Sequence, residues 1–257
     1  MKKFILVILS AVLSTACVVF GAEPKVIAHR GYWQAPGSAQ NSIRALVKAD
    51  SVGCYASEFD VWMTGDSVLV VNHDHDIEGI VIEKATYAEL KNLRLPNGEA
   101  IPTLDEYLKA AVSLNVRLVC ELKVHDSREH EAQAVAGILE AVARYGLESR
   151  TDYITFSATA FKDFCSKAPA ECGVYYLNGD YIPSQIKFMG GQGIDYSMRT
   201  MRNHPEWIDE AHDLGLLVNI WTVDAEADMK WCIEHGADFI TTDKPEELKA
   251  LIANTKL

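Results

Sequence analysis

Residues 217–242 read Leu217-Val218-Asn219-Ile220-Trp221-Thr222, then Val223-Asp224, then a polar-apolar stretch over 225–235, then Gly236-Ala237-Asp238, and finally Phe239-Ile240-Thr241-Thr242. The first and last runs are short and apolar. The stretch between them repeats apolar residues at helical spacing, and Gly236 supplies the left-handed residue that ends a helix. A strand, a crossover helix and a second strand in so few residues make a βαβ unit, so the two strands run parallel. The same alternation fills the chain upstream. Apolar runs fall at residues 26–29, 56–62, 117–122, 153–157, 173–177 and 193–197. Helical patterns fall at 41–52, 104–114, 128–145, 159–166, 205–214 and 245–253, with further stop glycines at Gly53, Gly146 and Gly215. With the quoted unit, that gives eight candidate strands, and the fold class is α/β, a closed (β/α)8 barrel.

One run breaks the alternation. Residues 67–72, SVLVVN, follow Trp62 after only Met63-Thr64-Gly65-Asp66. A parallel crossover needs a dozen residues or more, so this is a hairpin strand placed antiparallel beside strand 2. Residues 74–102 then form a short irregular insertion before the helix at 104.

The chain has 257 residues, 49% hydrophobic and 23% charged, which excludes disordered, collagenous and disulfide-stapled classes. Thirty-six acidic against 24 basic residues leave a formal net charge of -12. Such a surface repels nucleic acid and anionic membranes, so an anionic ligand needs a local cation or an Arg/Lys pair. Residues 1–22 read as an export signal: Lys2 and Lys3, then an apolar run to Phe20, with Val19-Phe20-Gly21 as a cleavage site before Ala22. A second reading makes Cys17, after Ser14-Thr15-Ala16, a lipid-modified N-terminus. The expectation is an exported protein, periplasmic or secreted, with a lipid anchor at Cys17 as the alternative. Residues 23–257 form one domain with no further stretch long enough to span a membrane. Of the five cysteines left, Cys54, Cys120 and Cys232 sit in apolar contexts, and Cys165 and Cys172 are the one pair considered for a bridge.

Active sites of such barrels lie at the C-terminal ends of the strands. There the chain offers His29-Arg30-Gly31, Glu58-Phe59-Asp60, Asn72-His73-Asp74, Glu121-Leu122-Lys123 and Trp221-Thr222. Residues i and i+2 of a strand share a face, so Glu58 points with Asp60, and Glu121 with Lys123. Three carboxylates at strand tips inside a barrel cannot stay ionised and unpaired. One hard divalent cation with oxygen ligands, Mg²⁺ or Ca²⁺, satisfies Glu58, Asp60 and Glu121 together. His29 and His73 stand apart from the other histidines because each ends an apolar strand among polar groups.

These pieces resemble the glycerophosphodiester phosphodiesterases. The matching stretches are Ala28-His29-Arg30-Gly31, Gln40-Asn41-Ser42, Glu58-Phe59-Asp60-Val61, Val71-Asn72-His73-Asp74, Ile101-Pro102-Thr103-Leu104, Glu121-Leu122-Lys123, Trp221-Thr222-Val223-Asp224 and Thr242-Asp243-Lys244-Pro245, in order. The resemblance implies a TIM barrel and a metal held by Glu58, Asp60 and Glu121. It also implies catalytic His29 and His73, phosphate contacts from Arg30 and Lys123, and Trp221 as a pocket wall. Two departures stand out: Gln40 and Ser42 replace the usual Glu and Thr, and the loop from Gly31 to Gln40 is longer than usual.

The expected reaction is metal-dependent hydrolysis of a small-molecule glycerophosphodiester to glycerol 3-phosphate and an alcohol. Two imidazoles serve as general acid and base near neutral pH. The rival readings are a phospholipase-type barrel acting on lysophospholipids or phosphoinositides, with Tyr32 and Trp33 as an apolar rim, and a silent barrel that binds a phosphorylated ligand.

Overall fold

The computed structural model describes residues 23–255. The proposed leader at 1–22, including Cys17, lies outside them. The chain runs through β1 (Lys25–Ala28), α1 (Ile43–Ser51), β2 (Ala56–Met63), β3 (Leu69–Val71), β4 (Asp76–Ile77), β5 (Ile80–Val81), α2 (Tyr87–Leu90) and α3 (Leu104–Ala111). It continues with β6 (Arg117–Leu122), α4 (Arg128–Arg144), β7 (Thr151–Thr155), α5 (Ala158–Lys167), β8 (Val174–Tyr176), α6 (Pro183–Phe188) and β9 (Gly193–Ser197). The last elements are α7 (Met198–Asn203), α8 (Glu206–Asp213), β10 (Leu217–Trp221), α9 (Glu226–Glu234), β11 (Phe239–Thr242) and α10 (Pro245–Thr255).

Strands β1, β2, β6, β7, β8, β9, β10 and β11 pair in that order and in parallel, and β1 pairs with both β2 and β11, so the sheet closes into the expected barrel. β3 adds antiparallel to β2, through Val61↔Val71, Trp62↔Val70 and Met63↔Leu69. That is the predicted hairpin. The period of two along each strand sorts the side chains into two layers. Outward residues such as Phe59, Val61, Leu118, Cys120 and Leu122 pack with Leu104, Tyr107 and Leu108 of α3 and Val135 and Ile138 of α4. Inward residues Ile27, Ala56, Val119, Ile154, Tyr175 and Phe239 fill the lower barrel, so there is no pore. Burying each such side chain is worth about 1.5–3 kcal/mol, and this floor is what makes the upper end of the barrel a closed-bottomed pocket.

The helices start where a short hydroxyl side chain can take an orphan amide. Ser42, Thr103, Ser127, Ser157 and Ser197 accept from the backbone N–H of Ala45, Glu106, His130, Ala160 and Thr200. Capping explains one shift from expectation: β7 ends at Thr155 because Ser157, read as strand, is the cap of α5. The insertion at 74–102 is more ordered than predicted. β4 and β5 form a two-stranded ribbon, α2 follows, and Ile82, Leu90, Leu95 and Ile101 close a second small core on Trp62 and Val70. The cysteines at 54, 120, 165, 172 and 232 are all free, so the bridge considered between Cys165 and Cys172 is not formed. No helix among the described residues is long and apolar enough to cross a membrane.

Candidate active site

β2 and β6 are parallel neighbours with Asp60 level with Glu121. The register brings Glu58, Asp60 and Glu121 to one inner face, with carboxylate oxygens within 4.8 Å of one another. All three are buried. Lys123 Nζ lies 3.1 Å from Asp60 Oδ1 and 2.7 Å from Glu121 Oε1. Asn41 grips Asp60 twice, donating Nδ2 to Oδ2 at 2.8 Å and accepting the Asp60 backbone N–H at 3.1 Å. The Arg30 backbone N–H donates to Glu58 Oε2 at 2.7 Å. Glu58 Oε1 is buried with no partner.

One ammonium is not enough for three buried carboxyls. Burial, reinforced by Asp60, pushes Glu58 well above the carboxylate range and Glu121 up to about 8, with Lys123 opposing both. Burial acts on Asp60 as well, but Lys123, His73 and Asn41 outweigh it and hold Asp60 low. Lys123 is held above its ordinary value: burial works against its charge, and Asp60 and Glu121 outweigh that. The orphaned oxygen of Glu58 and this shortfall of positive charge fit a divalent cation, for which these oxygens are suitable ligands.

The end of β1 is shaped by its backbone. Arg30 and Gly31 both have positive φ, 56° and 72°. A Cβ on Gly31 would lie 2.7 Å from the Ala45 Cβ and 2.8 Å from its carbonyl carbon, so only glycine fits. The turn aims the Arg30 amide at Glu58 and sets His29 against the end of β11. His29 Nδ1 lies 2.8 Å from Asp243 Oδ1, which also accepts the Trp33 indole N–H at 2.8 Å. Burial would raise Asp243, but these two partners outweigh it and keep it ionised. A carboxylate only accepts, so the proton sits on Nδ1. Nε2 lies 3.3 Å from the Arg30 Nε–H and takes it as acceptor. His73 repeats the motif, with Nδ1 2.8 Å from Asp74 Oδ1. Burial holds its pKa below the ordinary value, against the pull of Asp60. Arg30 Nη1 donates to Gln40 Oε1 at 2.7 Å. A neutral glutamine therefore orients the guanidinium without cancelling its charge.

These groups surround a cavity of about 110 Å³. His29, Arg30, Glu58, His73, Glu121 and Lys123 line one wall; Ile154, Phe156, Leu177, Asp195 and Trp221 line the other. Trp221 donates its indole N–H to the Asp195 carbonyl at 2.9 Å and meets the Phe156 ring edge-on at 5.6 Å, so it faces the cavity with apolar surface. All the predicted site residues line the cavity except Asp60, which sits behind Lys123. A wider groove of about 780 Å³, lined by residues 33–41, Asn72, Asp74, Leu95 and Pro96, shares His73 with it. Sequence reasoning gave no role in the site to Asp243, Asp74, Asn41 or Gln40, and read Asn41 only as a helix cap alternative to Ser42, which is the cap. Their stretches stood among the motifs of the resemblance, but Asp243 is 214 positions from His29, and local spacing carries no sign of that contact.

A second cluster needs separating from the first. Glu83, His125 and His130 also bring ligand-type atoms within 4.8 Å. His125 Nδ1 lies 2.7 Å from the Lys123 carbonyl, and its Nε2 accepts the Met63 N–H at 3.0 Å. His130 spans Glu83 Oε1 at 3.1 Å and the Thr64 carbonyl at 3.2 Å.

The sequence pattern of the Glycerophosphoryl diester phosphodiesterase family matches residues 29–247. A glycerophosphodiester phosphodiesterase of Caldanaerobacter subterraneus subsp. tengcongensis is 29% identical over 88% of this chain and 97% of its own. The crystal structure of a glycerophosphodiester phosphodiesterase from Parabacteroides distasonis superposes with a TM-score of 0.90 at 47% identity, covering 91% of this chain and 99% of that one. One from Silicibacter pomeroyi, described as a putative glycerophosphoryl diester phosphodiesterase, gives 0.81 at 27% identity over 91% and 95%. These likenesses favour diester hydrolysis over the phospholipase-type and silent-barrel readings. The barrel, its one-ended constellation of carboxylates and histidines, and the match along nearly the whole described chain lead to one conclusion: this chain belongs to the glycerophosphoryl diester phosphodiesterase family and is a phosphodiester hydrolase.

Proposed function

We propose that the chain hydrolyses glycerophosphodiesters to glycerol 3-phosphate and an alcohol with His29 and His73 as the proton-transfer pair. The observation that carries this is the pairing of each imidazole Nδ1 with an aspartate at the rim of the cavity that holds the partnerless Glu58 Oε1. Each aspartate fixes its ring and stabilises the imidazolium that forms on proton uptake. One histidine removes the proton of the attacking oxygen, either a water or a neighbouring substrate hydroxyl whose cyclic phosphate a water then opens, and the other protonates the departing alkoxide. Arg30, held by neutral Gln40, and Lys123 offset charge on the nonbridging oxygens. Mg²⁺ or Ca²⁺, held by Glu58, Asp60 and Glu121, supplies Lewis-acid stabilisation of those oxygens when bound.

The small 110 Å³ cavity suits the glyceryl group, and the 780 Å³ groove beside His73 suits the alcohol. A groove so much wider than the cavity supports broad tolerance of alcohols such as choline and ethanolamine. Export, with Cys17 as the alternative lipid anchor, belongs to the same proposal and rests on Lys2, Lys3 and the apolar run behind them. The test is release of glycerol 3-phosphate from a panel of glycerophosphodiesters, with and without EDTA. Turnover that chelation stops and Mg²⁺ or Ca²⁺ restores is expected. Turnover of lysophosphatidylcholine alone, or full activity after exhaustive chelation, overturns the reading.

A further inference from the structure

One titratable group in the pocket takes no part in the chemistry above. Asp195 is on β9, four strands from β2 in either direction round the barrel, so it faces the carboxylate cluster from the opposite wall. It is 1% exposed and lines the cavity among Ile154, Leu177 and Trp221. Its Oδ1 accepts a hydrogen bond from Asn219 Nδ2 at 2.8 Å. That amide is itself fixed, donating to Thr241 Oγ1 at 2.8 Å and accepting from it at 3.2 Å. Asp195 Oδ2 has no hydrogen-bond partner among the described residues, and no lysine or arginine pairs with the carboxyl. Burial pushes its pKa up to about 7, with only Asn219 opposing.

A buried carboxyl with an idle oxygen costs free energy in this apolar wall, where a leucine of similar size would not. Asp195 borders the cavity, so a ligand hydroxyl can satisfy its idle oxygen. The cavity is far smaller than the ~300–1,000 Å³ of drug-sized pockets. It has room for a short polyol and none for an acyl chain. We infer that Asp195 is a specificity-determining residue that accepts a hydrogen bond from the terminal hydroxyl of the glyceryl group, making that wall of the cavity a polyol subsite. The assignment rests on the diester hydrolysis proposed above. With the phosphate at the Arg30 and Lys123 wall, the hydroxyl farthest from phosphorus is the one that reaches across. Trp221 and Phe156 flank the carbon chain.

The test compares sn-glycero-3-phosphocholine with 2-hydroxyethyl phosphocholine, which keeps the hydroxyl beside the ester and lacks the terminal one. Sites built to bind a hydroxyl reject analogues lacking it strongly, so wild type is expected to prefer the glyceryl diester by ~10²-fold or more in kcat/KM. Asp195→Leu should lower that ratio at least ~10-fold, through selective loss on the glyceryl diester, with Asp195→Asn intermediate. Should the variants fold poorly, competitive inhibition of wild type by glycerol 3-phosphate against 2-hydroxyethyl phosphate gives the same reading, and equal inhibition constants overturn the proposal. A ratio unchanged in Asp195→Leu, with wild type turning over both diesters, overturns the Asp195 assignment alone. Wild type idle on every diester overturns the diester reading and this assignment with it.

Discussion

Glu58, Asp60 and Glu121 inside the barrel, and Glu83, His125 and His130 beneath the insertion, make two triads, each with ligand atoms within 4.8 Å of one another. They differ in what is left over. In the second, both nitrogens of His125 are spent on backbone groups, and His130 and Glu83 satisfy each other, Thr64 and the Asp126 amide. In the first, Glu58 Oε1 has nothing, and one lysine serves two carboxylates. Proximity of ligand-type residues therefore says little. Unspent valence in a buried place is what marks a site, and the second triad, whose imidazole nitrogens all have neighbours, is a clamp that ties the insertion to α4.

The largest expected effect breaks the first triad. Glu58→Gln, like chelation of the wild type, should lower turnover about 10³-fold or more. The same substitution should raise the melting temperature of the metal-free protein, because it removes a buried carboxyl with an orphaned oxygen. Loss of turnover together with loss of metal-free stability would make Glu58 structural. Next come the proton carriers: His29→Ala and His73→Ala should each lower kcat by ~10²–10⁴-fold, and the double variant should lose less than the product of the two. Exposed His75, paired only with Asp76, serves as the control and should change little. A diester with a very acidic leaving group should rescue the variant that lacks the acid and not the one that lacks the base.

The smallest effect falls on the clamp. Glu83→Gln should cost about 1–3 kcal/mol of stability, read by thermal melting that EDTA does not alter, with far less loss of turnover than Glu58→Gln. The clamp should also loosen in acid. Burial holds His125 below the ordinary histidine value, against the Lys123 carbonyl and Glu83. The unfolded chain thus takes up the proton first, so stability from this group is whole above about pH 6.5 and declines as pH falls toward the lower folded value. The cause is visible: a protonated Nε2 cannot accept the Met63 N–H. Hydrogen exchange in the insertion, followed from pH 7.5 to 5.5, should quicken there before it does in β2 or β6. Uniform quickening would mean that the clamp is not the acid-sensitive element.

The barrel could be read from the sequence because its strands are apolar runs of the right length and α1, α3, α4, α5, α8 and α9 carry clear caps or stops. α6 and α7 could not be. Each has six residues, too few for a helical period to show; α6 sits in a stretch broken by Gly179, Pro183, Gly190 and Gly191, and α7 follows β9 directly. The insertion looked irregular because its core is shared with Trp62 and Val70, so no segment of it is amphipathic alone. The carboxylates were legible because i, i+2 spacing on a strand is a local rule. Asp243, Asn41 and Asp195 were not. Their roles exist only once β11, the α1 entry and β9 have closed round the same cavity.

The cavity's two walls come from different parts of the chain. His29, Arg30, Glu58, His73, Glu121 and Lys123 are all contributed before residue 124, and the wall formed by Ile154, Phe156, Leu177, Asp195 and Trp221 comes entirely after it. Chemistry and recognition are thereby written in separate halves of one gene. Recombination with a relative near that boundary could exchange the recognition half while leaving the phosphoryl-handling half in place, provided a chimera keeps the β6–β7 and β1–β11 seams and the His29–Asp243 contact beside the second.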